Sequence, residues 1–268
     1  MICFIRVWAI LLRQYYLIRA SFSRILPLFI WVAVDIVLWG FLTRYLNAVA
    51  SVSFNFVPVM LGAILLWDFF IRIMQGVTMA FFEDVWARNF INVFSTPIRI
   101  SEYLIGLVFS SIATSSVGIA VMFFLAIVVF GLQFLSYGIV ILPFLLVLFM
   151  FGIALGIAAS ALVLRLGPAA EWFIWPIPAI ISPFAGVLYP IDILPKWMQF
   201  ISRFLPPSYV FKSLRAVVLG GRVSCTALSW GLGLALLYIY LACLLFVYTY
   251  NHAVRSGLIA RYSAESLS

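Results

Sequence analysis

The chain has 268 residues, of which 66% are hydrophobic, 18% are aromatic and only 9% are charged. One soluble core cannot bury that much apolar surface, so the composition excludes a soluble domain and predicts an all-α integral membrane protein. The formal net charge of +8 comes from 14 arginines and 2 lysines against 8 acids. We interpret it as cytoplasmic charge that orients the protein in its membrane, and we predict no binding of nucleic acid.

Residues 1–24 are the first predicted element. Four arginines (Arg6, Arg13, Arg19 and Arg24) are spread among aromatic residues, without the short apolar core and cleavage site of a signal peptide. Basic and aromatic residues interleaved in this way are typical of helices at a membrane surface. We therefore predict a retained amphipathic helix that lies at the interface between membrane and water.

Six stretches are long and apolar enough for the roughly 20 residues that a membrane-spanning helix needs. They are residues 25–43, 55–79, 103–131, 138–164, 171–190 and 227–250. Six spans place both termini on one side of the membrane. With that side in the cytoplasm, nine basic residues outside the spans lie inside and six lie outside. This excess favours cytoplasmic termini, and residues 1–268 are predicted to form a single membrane domain.

Ionisable residues occur within the first two predicted spans, where charge is costly. Asp35 lies in the first span. Asp68 and Arg72 lie four apart in the second, so they can meet on one helix face. Two interpretations remain open: an ion or proton path, or internal pairing that stabilises the helices. Tryptophans in the same spans either line a path for cargo or pack at interfaces, and they are Trp31, Trp39 and Trp67.

Residues 83–102 form a polar island of both charge signs between the second and third spans. Helical spacing puts Trp86, Val93 and Pro97 on one stripe, predicted to rest on the membrane domain. A second stripe is predicted to face a partner and contains Asp84, Arg88 and Asn92. Proline disfavours helical geometry in the residue before it, so Thr96-Pro97 is predicted to end this helix.

The start of the third span contains two residues suited to a helix N-terminus. Ser101 is predicted to cap the span, and Glu102 then lies at its positive dipole end. The polar island either docks a cytoplasmic partner or lies on the membrane without one.

Residues 182–224 are broken by five prolines, and their apolar stretches are too short to span a membrane. Pro195 is predicted to open a short helix. In that helix Trp197, Phe200, Ile201 and Phe204 recur at helical spacing, and a second piece follows the Pro206-Pro207 break at about 208–219. We predict two short re-entrant or outer-leaflet helices between spans five and six; an ordinary extracellular loop is the alternative.

Motifs for enzyme chemistry are absent from the sequence. Neither Lys196 nor Lys212 follows a glycine-rich phosphate loop, so no Walker A motif is present. A single histidine, His252, leaves no paired-histidine metal site, and the three cysteines have no metal-type or disulfide spacing. We therefore predict a non-catalytic subunit that holds no metal and no cofactor of its own.

Two segments together resemble the permease subunits of ATP-binding cassette (ABC) exporters of the type-2 class. They are FSTPIRISEYLIG at 94–106 and AGVLYPIDILPKWMQFISRFLPPSYVFKSLRAVVLGG at 185–221. The second departs from the family's pattern at Leu205-Pro206-Pro207, where an asparagine before the proline is commoner. The resemblance implies a homodimer of permeases in a bacterial inner membrane, in contact with membrane lipids. It also implies a separate ABC ATPase in two copies, which binds ATP and Mg.

The resemblance also assigns roles to both segments. Residues 83–101 would be the coupling helix seated on the ATPase, with contributions from Glu83, Asp84, Arg88, Asn92, Thr96, Pro97 and Glu102. Residues 190–220 would form an outer gate that includes Pro190, Pro195, Trp197, Pro206, Pro207 and Arg215. The implied cargo is amphipathic: a glycan, a lipid-linked or lipo-oligosaccharide, or a hydrophobic drug.

Two other functions remain open from the residues alone. An ion-gradient-driven transporter or channel would use Asp35, Asp68 and Arg72 as its ionisable core. A membrane scaffold or assembly factor would transport nothing. Copurification of a Walker-containing ATPase separates the exporter from both.

Overall fold

The computed structural model describes residues 3–19, 22–49, 56–87, 89, 92–93, 95–130, 141–167, 170–221 and 224–257. Within these ranges the chain is helical and has no strand, as the composition predicts. The long helices are α1 (Phe4–Arg19), α2 (Phe22–Val49), α3 (Phe56–Trp86), α4 (Ile100–Phe130) and α5 (Ile141–Leu166). The later helices are α6 (Glu171–Ile174), α7 (Ile177–Ala185), α8 (Lys196–Ser202), α9 (Pro206–Val218) and α10 (Cys225–Arg255).

Four of the described helices are long and apolar enough to cross a membrane, and they are α3, α4, α5 and α10. They correspond to the second, third, fourth and sixth predicted spans. The first predicted span lies within α2, whose 28 residues extend about 42 Å at the α-helical rise. Helix α3 continues to Trp86, seven residues beyond the predicted end at residue 79.

The fifth predicted span, 171–190, is wrong as one continuous helix. The chain there forms α6 and α7, and the apolar helical stretch is only Trp172–Ala185. A turn at Trp175-Pro176 separates the two helices, and α7 ends where Gly186 adopts a left-handed φ of 65°. Glycine tolerates that conformation, so it stops the helix after nine residues.

Helix α5 packs between α3 and α10 and forms the centre of the main core. Stacked rings of Phe70 and Phe151, with centroids 5.5 Å apart, join α3 to α5. Gly156 lets the two backbones approach closely, because a Cβ there would lie 2.8 Å from the carbonyl oxygen of Met74. Small residues at helix crossings are the usual means of close packing in membranes, where water supplies no driving force between helices.

Helices α2, α3 and α4 enclose a second, smaller apolar cluster, centred on Ile36, Leu61 and Met122. Two serines of α4 add polar contacts to α3. The Ser111 hydroxyl donates to the carbonyl oxygen of Ile73 at 3.0 Å, and the Ser115 hydroxyl donates to that of Arg72 at 3.2 Å. Each serine thus satisfies its own hydroxyl within the bundle.

Helix α1 lies against α4 and has two distinct faces. Val7, Ile10 and Gln14 are buried. The opposite face exposes large apolar residues, which are Phe4, Ile5, Trp8, Leu12, Tyr15 and Tyr16. The predicted amphipathic helix is therefore present over residues 4–19, and its position at a membrane surface remains a prediction.

We call residues 176–221, which include α7, α8 and α9, the proline segment. Pro195 directly precedes α8, and Pro206 and Pro207 are the first residues of α9, so both predicted short helices are confirmed. A 3₁₀ turn at Ile191–Ile193 follows Pro190. Proline at a helix start costs no hydrogen bond, because the first N–H groups of a helix lack a partner.

Candidate functional site

The region between α3 and α4 is shorter than the predicted island. Because α3 reaches Trp86 and α4 begins at Ile100, only residues 87–99 connect them, and we call these the polar segment. A helical turn forms where the N–H of Val93 donates to the carbonyl oxygen of Asn89 at 2.9 Å. Thr96 and Pro97 lie outside any helix, which confirms the predicted break.

Asp84 is buried, with only 1% of its surface exposed. The Arg13 guanidinium of α1 pairs with one of its carboxylate oxygens, and the Tyr103 hydroxyl of α4 donates to the other at 2.7 Å. Burial lowers the pKa of Arg13 below its usual value, while the nearby Tyr103 and Glu83 act to raise it. Asp84 therefore joins the end of α3 to two other helices.

Glu102 is also buried and joins the starts of two helices. Its carboxylate accepts from the backbone N–H of Arg99 at 3.0 Å and from that of Cys3 at 2.8 Å. These groups lie at the N-terminal ends of α4 and α1, where helix dipoles favour negative charge. The Arg6 guanidinium adds an ion pair at 3.3 Å. We call Arg6, Arg13, Asp84, Glu102 and Tyr103 the α1 cluster.

The two-stripe interpretation of the island is wrong at Asp84 and Trp86, and the predicted cap at Ser101 is wrong as well. Asp84 was assigned to a partner-facing stripe, but its direction is set by α3 and it points into the protein. Trp86 was assigned to the inner stripe, but 49% of its surface is exposed. Ser101 lies inside α4 and is not the residue before it, and the side chain of Glu102 accepts from the N–H of Arg99, which directly precedes the helix.

The remaining predicted coupling residues lie at the surface or outside the described residues. Glu83 is half-buried in the last turn of α3. Asn92, Thr96 and Pro97 are exposed, and the Asn92 amide donates to the side-chain oxygen of Asn89 at 3.0 Å. Arg88 lies outside the described residues. The described, exposed surface of the polar segment therefore has Arg99 as a charged residue beside the uncharged Asn92, Thr96 and Pro97.

Sequence reasoning missed the arginines of α1 as partners of this region, and it also missed Tyr103. A signal was present, because Arg6, Ile10 and Arg13 follow the i, i+4, i+7 spacing of one helix face. That spacing identifies the face but not its carboxylate partners, which lie 96 and 71 residues away.

The predicted pairing of Asp68 with Arg72 is confirmed. The Arg72 Nε lies 3.0 Å from Asp68 Oδ2, and both side chains are largely buried, with 12% and 14% of their surface exposed. Asp35 on α2 lies within electrostatic reach of both. The pair satisfies itself within one helix, and its role in transport remains a prediction.

The tryptophans proposed for a path have different surroundings. Trp67 packs against Phe70 and against Phe211 of α9, with ring centroids 4.7 and 6.0 Å apart. Trp39 contacts the small cluster between α2, α3 and α4. The side chain of Trp31 lies outside the described part of the chain. Packing is therefore the observed environment of Trp67 and Trp39.

The proline segment is held together by donors to backbone carbonyls. Arg215 Nη2 on α9 donates to the carbonyl oxygen of Gly186 at 2.6 Å, and Nη1 donates to that of Val187 at 3.4 Å. A cation near a helix C-terminus interacts favourably with the negative end of the helix dipole, so the Arg215 guanidinium stabilises the end of α7. The Ser202 hydroxyl donates to the backbone carbonyl oxygen of Phe184 at 2.6 Å. These bonds tie α9 and α8 to the end of α7.

Apolar rings cover the outside of α8. Trp197 is 62% exposed and contacts Phe184 edge-on, and Phe200 and Phe204 are also exposed. Pro190 and Pro195 are exposed, while Pro206 and Pro207 are buried. Exposed aromatics flanked by Lys196 and Arg203 suit a helix that lies at a lipid interface.

A small cleft between α3 and the α6–α7 region has room for roughly one water molecule and is lined by Gln75, Thr78 and Trp175. Among the residues described, no three His, Cys, Asp or Glu side chains are grouped to hold a metal ion.

The sequence comparison identifies the family. Residues 6–219 match the ABC-2 type transporter family, and this match runs from the first turn of α1 to the end of α9. No curated protein matches the chain. The matched region includes the polar segment, the α1 cluster and most of the proline segment. The chain belongs to the ABC-2 type transporter family and is a membrane-embedded permease subunit of an ABC transporter.

Proposed function

We propose that this chain is the permease of an ATP-driven exporter and that its polar segment docks a separate ATPase subunit. The observation that carries the proposal is the polar segment itself. It exposes Asn92, Ser95, Thr96 and Pro97 between two helices of membrane-spanning length, while its two flanking ends are fixed inside the protein. Because both ends of the polar segment are fixed to the helices, a displacement of the bound partner would be transmitted to the membrane spans.

This chain would form the transport path, and the separate ATPase subunit would bind and hydrolyse ATP. No Walker A sequence is present, so ATP and Mg would bind to two copies of the ATPase. Two permease copies would form the path, with six spans each if α2 and the α6–α7 region also cross the membrane. Both termini and the polar segment would then lie in the cytoplasm, and residues 190–220 of the proline segment would form an outer gate.

The proposed cargo is amphipathic, and the proposed location is a bacterial inner membrane. Exposed aromatic residues near both ends of the fold suit contact with lipid, glycan or lipid-linked molecules. The subunit itself would be non-catalytic. We expect a lipid or glycan to accompany the purified complex.

Purification of the tagged full chain from its native membranes tests the proposal. Mass spectrometry is expected to find a Walker-containing ATPase in stoichiometric amount. The substitution Asn92→Arg places a long charged side chain on the docking surface and should reduce recovery of the ATPase at least fivefold, whereas Ser256→Arg at the exposed end of α10 serves as a matched control. Charge reversal by Arg88→Glu should uncouple ATP hydrolysis from export.

Two results contradict the exporter proposal. Reproducible absence of an ATPase from the wild-type preparation overturns it, and equal recovery with Asn92→Arg removes the polar segment as the docking site. The substitution Asp35→Asn distinguishes the ion-driven alternative from the exporter proposal. Loss of transport with an intact ATPase complex would assign Asp35 to an ion path.

A further inference from the structure

We infer that α1 joins the ends of α3 and α4 into one moving unit, with Arg6 and Arg13 as the positioning residues. The inference rests on the proposed function, since it concerns how a push on the polar segment reaches the spans. It assigns α1 a role in transmission in addition to its surface position.

The first attachment holds the end of α3. Asp84 lies two residues before Trp86, where α3 ends, and its buried carboxylate is shared by Arg13 and Tyr103. The Gln14 amide, one residue further along α1, donates to the carbonyl oxygen of Ala80 at 3.2 Å. Two adjacent residues of α1 thus contact the last turns of α3.

The second attachment holds the start of α4. Glu102 lies two residues after Ile100, where α4 begins. Its carboxylate accepts from the N–H of Cys3, the residue before α1, and pairs with the Arg6 guanidinium. Arg6 and Arg13 are seven residues apart, about 10.5 Å along the helix. The two attachments are therefore separated by two helical turns.

Close packing fills the space between the attachments. Ile10 lies midway between the two arginines and rests on Gly106 of α4, where an added Cβ would be 2.7 Å from Ile10 Cγ2. Ile10 is 5% exposed. The carboxylates of the ion pairs on either side are buried, while the Arg6 and Arg13 side chains keep 36% and 27% of their surface exposed.

The arrangement closes a loop of contacts. The polar segment connects the end of α3 to the start of α4 through the chain, and α1 connects the same two ends through side chains. With the polar segment alone, a push would spread or twist the two ends relative to each other. With α1 in place, the ends keep their separation and the displacement passes into both helices together.

Paired spin labels on the complete permease–ATPase complex in lipid nanodiscs test this inference. The three native cysteines are replaced by serine, because Cys3 contributes only a backbone N–H to the α1 cluster. One label pair, at the exposed Ala87 and Ser101, reports the separation of the two ends. A second pair, at the exposed Lys196 and Ser229, reports movement near α8 and the start of α10. Distances are measured without nucleotide and with ATP, Mg²⁺ and vanadate.

In the wild type we expect the Ala87–Ser101 distance to stay constant and the Lys196–Ser229 distance to change with nucleotide. Arg13→Gln should broaden the first distribution and reduce the second change at least twofold, with the ATPase still bound. Arg13→Lys should restore most of the response. Arg19→Gln, at the exposed end of the same helix, should match the wild type.

A second variant keeps the test decisive if Arg13→Gln fails to accumulate. Gly106→Ala displaces α1 through Ile10 and leaves every charge in place, and it should reduce the nucleotide response in the same direction. An unchanged response in these variants overturns the inference, as does a nucleotide-dependent Ala87–Ser101 distance in the wild type. Absence of the ATPase from the wild-type complex overturns the proposed function instead, and the inference with it.

Discussion

The α1 cluster and the proline segment stabilise their regions by different physics. The α1 cluster uses ion pairs and charge-assisted bonds. Those made by α1 join residues 71 to 99 positions apart, and the bond from Tyr103 to Asp84 joins residues 19 positions apart. The proline segment uses side-chain donors to backbone carbonyls between residues 18 to 29 positions apart, as at Ser202 and Arg215. One region depends on how distant helices assemble, and the other mostly on how a local stretch bends.

The difference affects what each region tolerates. A buried carboxylate that loses its cation is left charged in a poor solvent, which is strongly destabilising. A backbone carbonyl at a surface-near helix end that loses a donor can bind water instead. We therefore expect substitutions in the α1 cluster to act on the whole fold and those in the proline segment to act locally.

The largest effect is expected for Arg13→Leu. It leaves the Asp84 carboxylate buried without its cation, which costs about 3 kcal/mol, near the low end for buried pairs because Arg13 is 27% exposed. Denaturant unfolding in detergent micelles measures the loss. Arg19→Leu, on an exposed position of the same helix, should change stability by less than about 0.5 kcal/mol. Equal effects of the two substitutions would remove the contrast between the regions.

Gly106→Ala is expected to destabilise the protein by about 1–3 kcal/mol, because the added methyl group overpacks the contact with Ile10. Gly233→Ala in α10 is the matched control. Nothing lies within 4 Å of a Cβ at that position, so the better helix propensity of alanine should make it neutral or stabilising by up to about 1 kcal/mol. Unfolding midpoints of the two variants should therefore move in opposite directions.

The same contrast explains which parts of the structure can be predicted from the sequence. Proline and glycine act on their own backbone and on their neighbours, so the helix starts at Lys196 and Pro206 and the break at Pro97 follow from local rules. Four spans also follow from apolar length alone. The break within the fifth predicted span is missed, because hydropathy averages over the turn at Pro176 and does not register it.

The α1 cluster could not be predicted in the same way. Periodicity shows that Arg6 and Arg13 share a face of α1, but it holds no information on which of the acids they meet. Asp84 was misassigned because its direction depends on α3 continuing to Trp86, a boundary that the apolar pattern places seven residues too early. An i, i+4 pair such as Asp68 and Arg72 needs no such knowledge and was predicted correctly.

Arg215→Gln should cost about 1–2 kcal/mol locally, because the charged donor to Gly186 is lost while the freed carbonyl gains water. Hydrogen–deuterium exchange should show faster exchange confined to the end of α7 and the adjoining 3₁₀ turn. Lys212→Gln is the control, since Lys212 is exposed on the same helix. Exchange that also increases in α1 or α4 would mean that the two regions are not independent.

The smallest effect is expected for Pro195→Ala, at about 0.4–1 kcal/mol. Pro195 has a φ of −55° ahead of α8, which its ring already favours, so the proline acts mainly by restricting the unfolded chain. The matched control is Lys196→Ala, an exposed neighbour whose loss should leave stability unchanged. Because no folded-state contact is removed, the structure of α8 should persist and only the unfolding midpoint should fall. A local loss of protection in α8 would show instead that Pro195 holds the helix start in the folded protein.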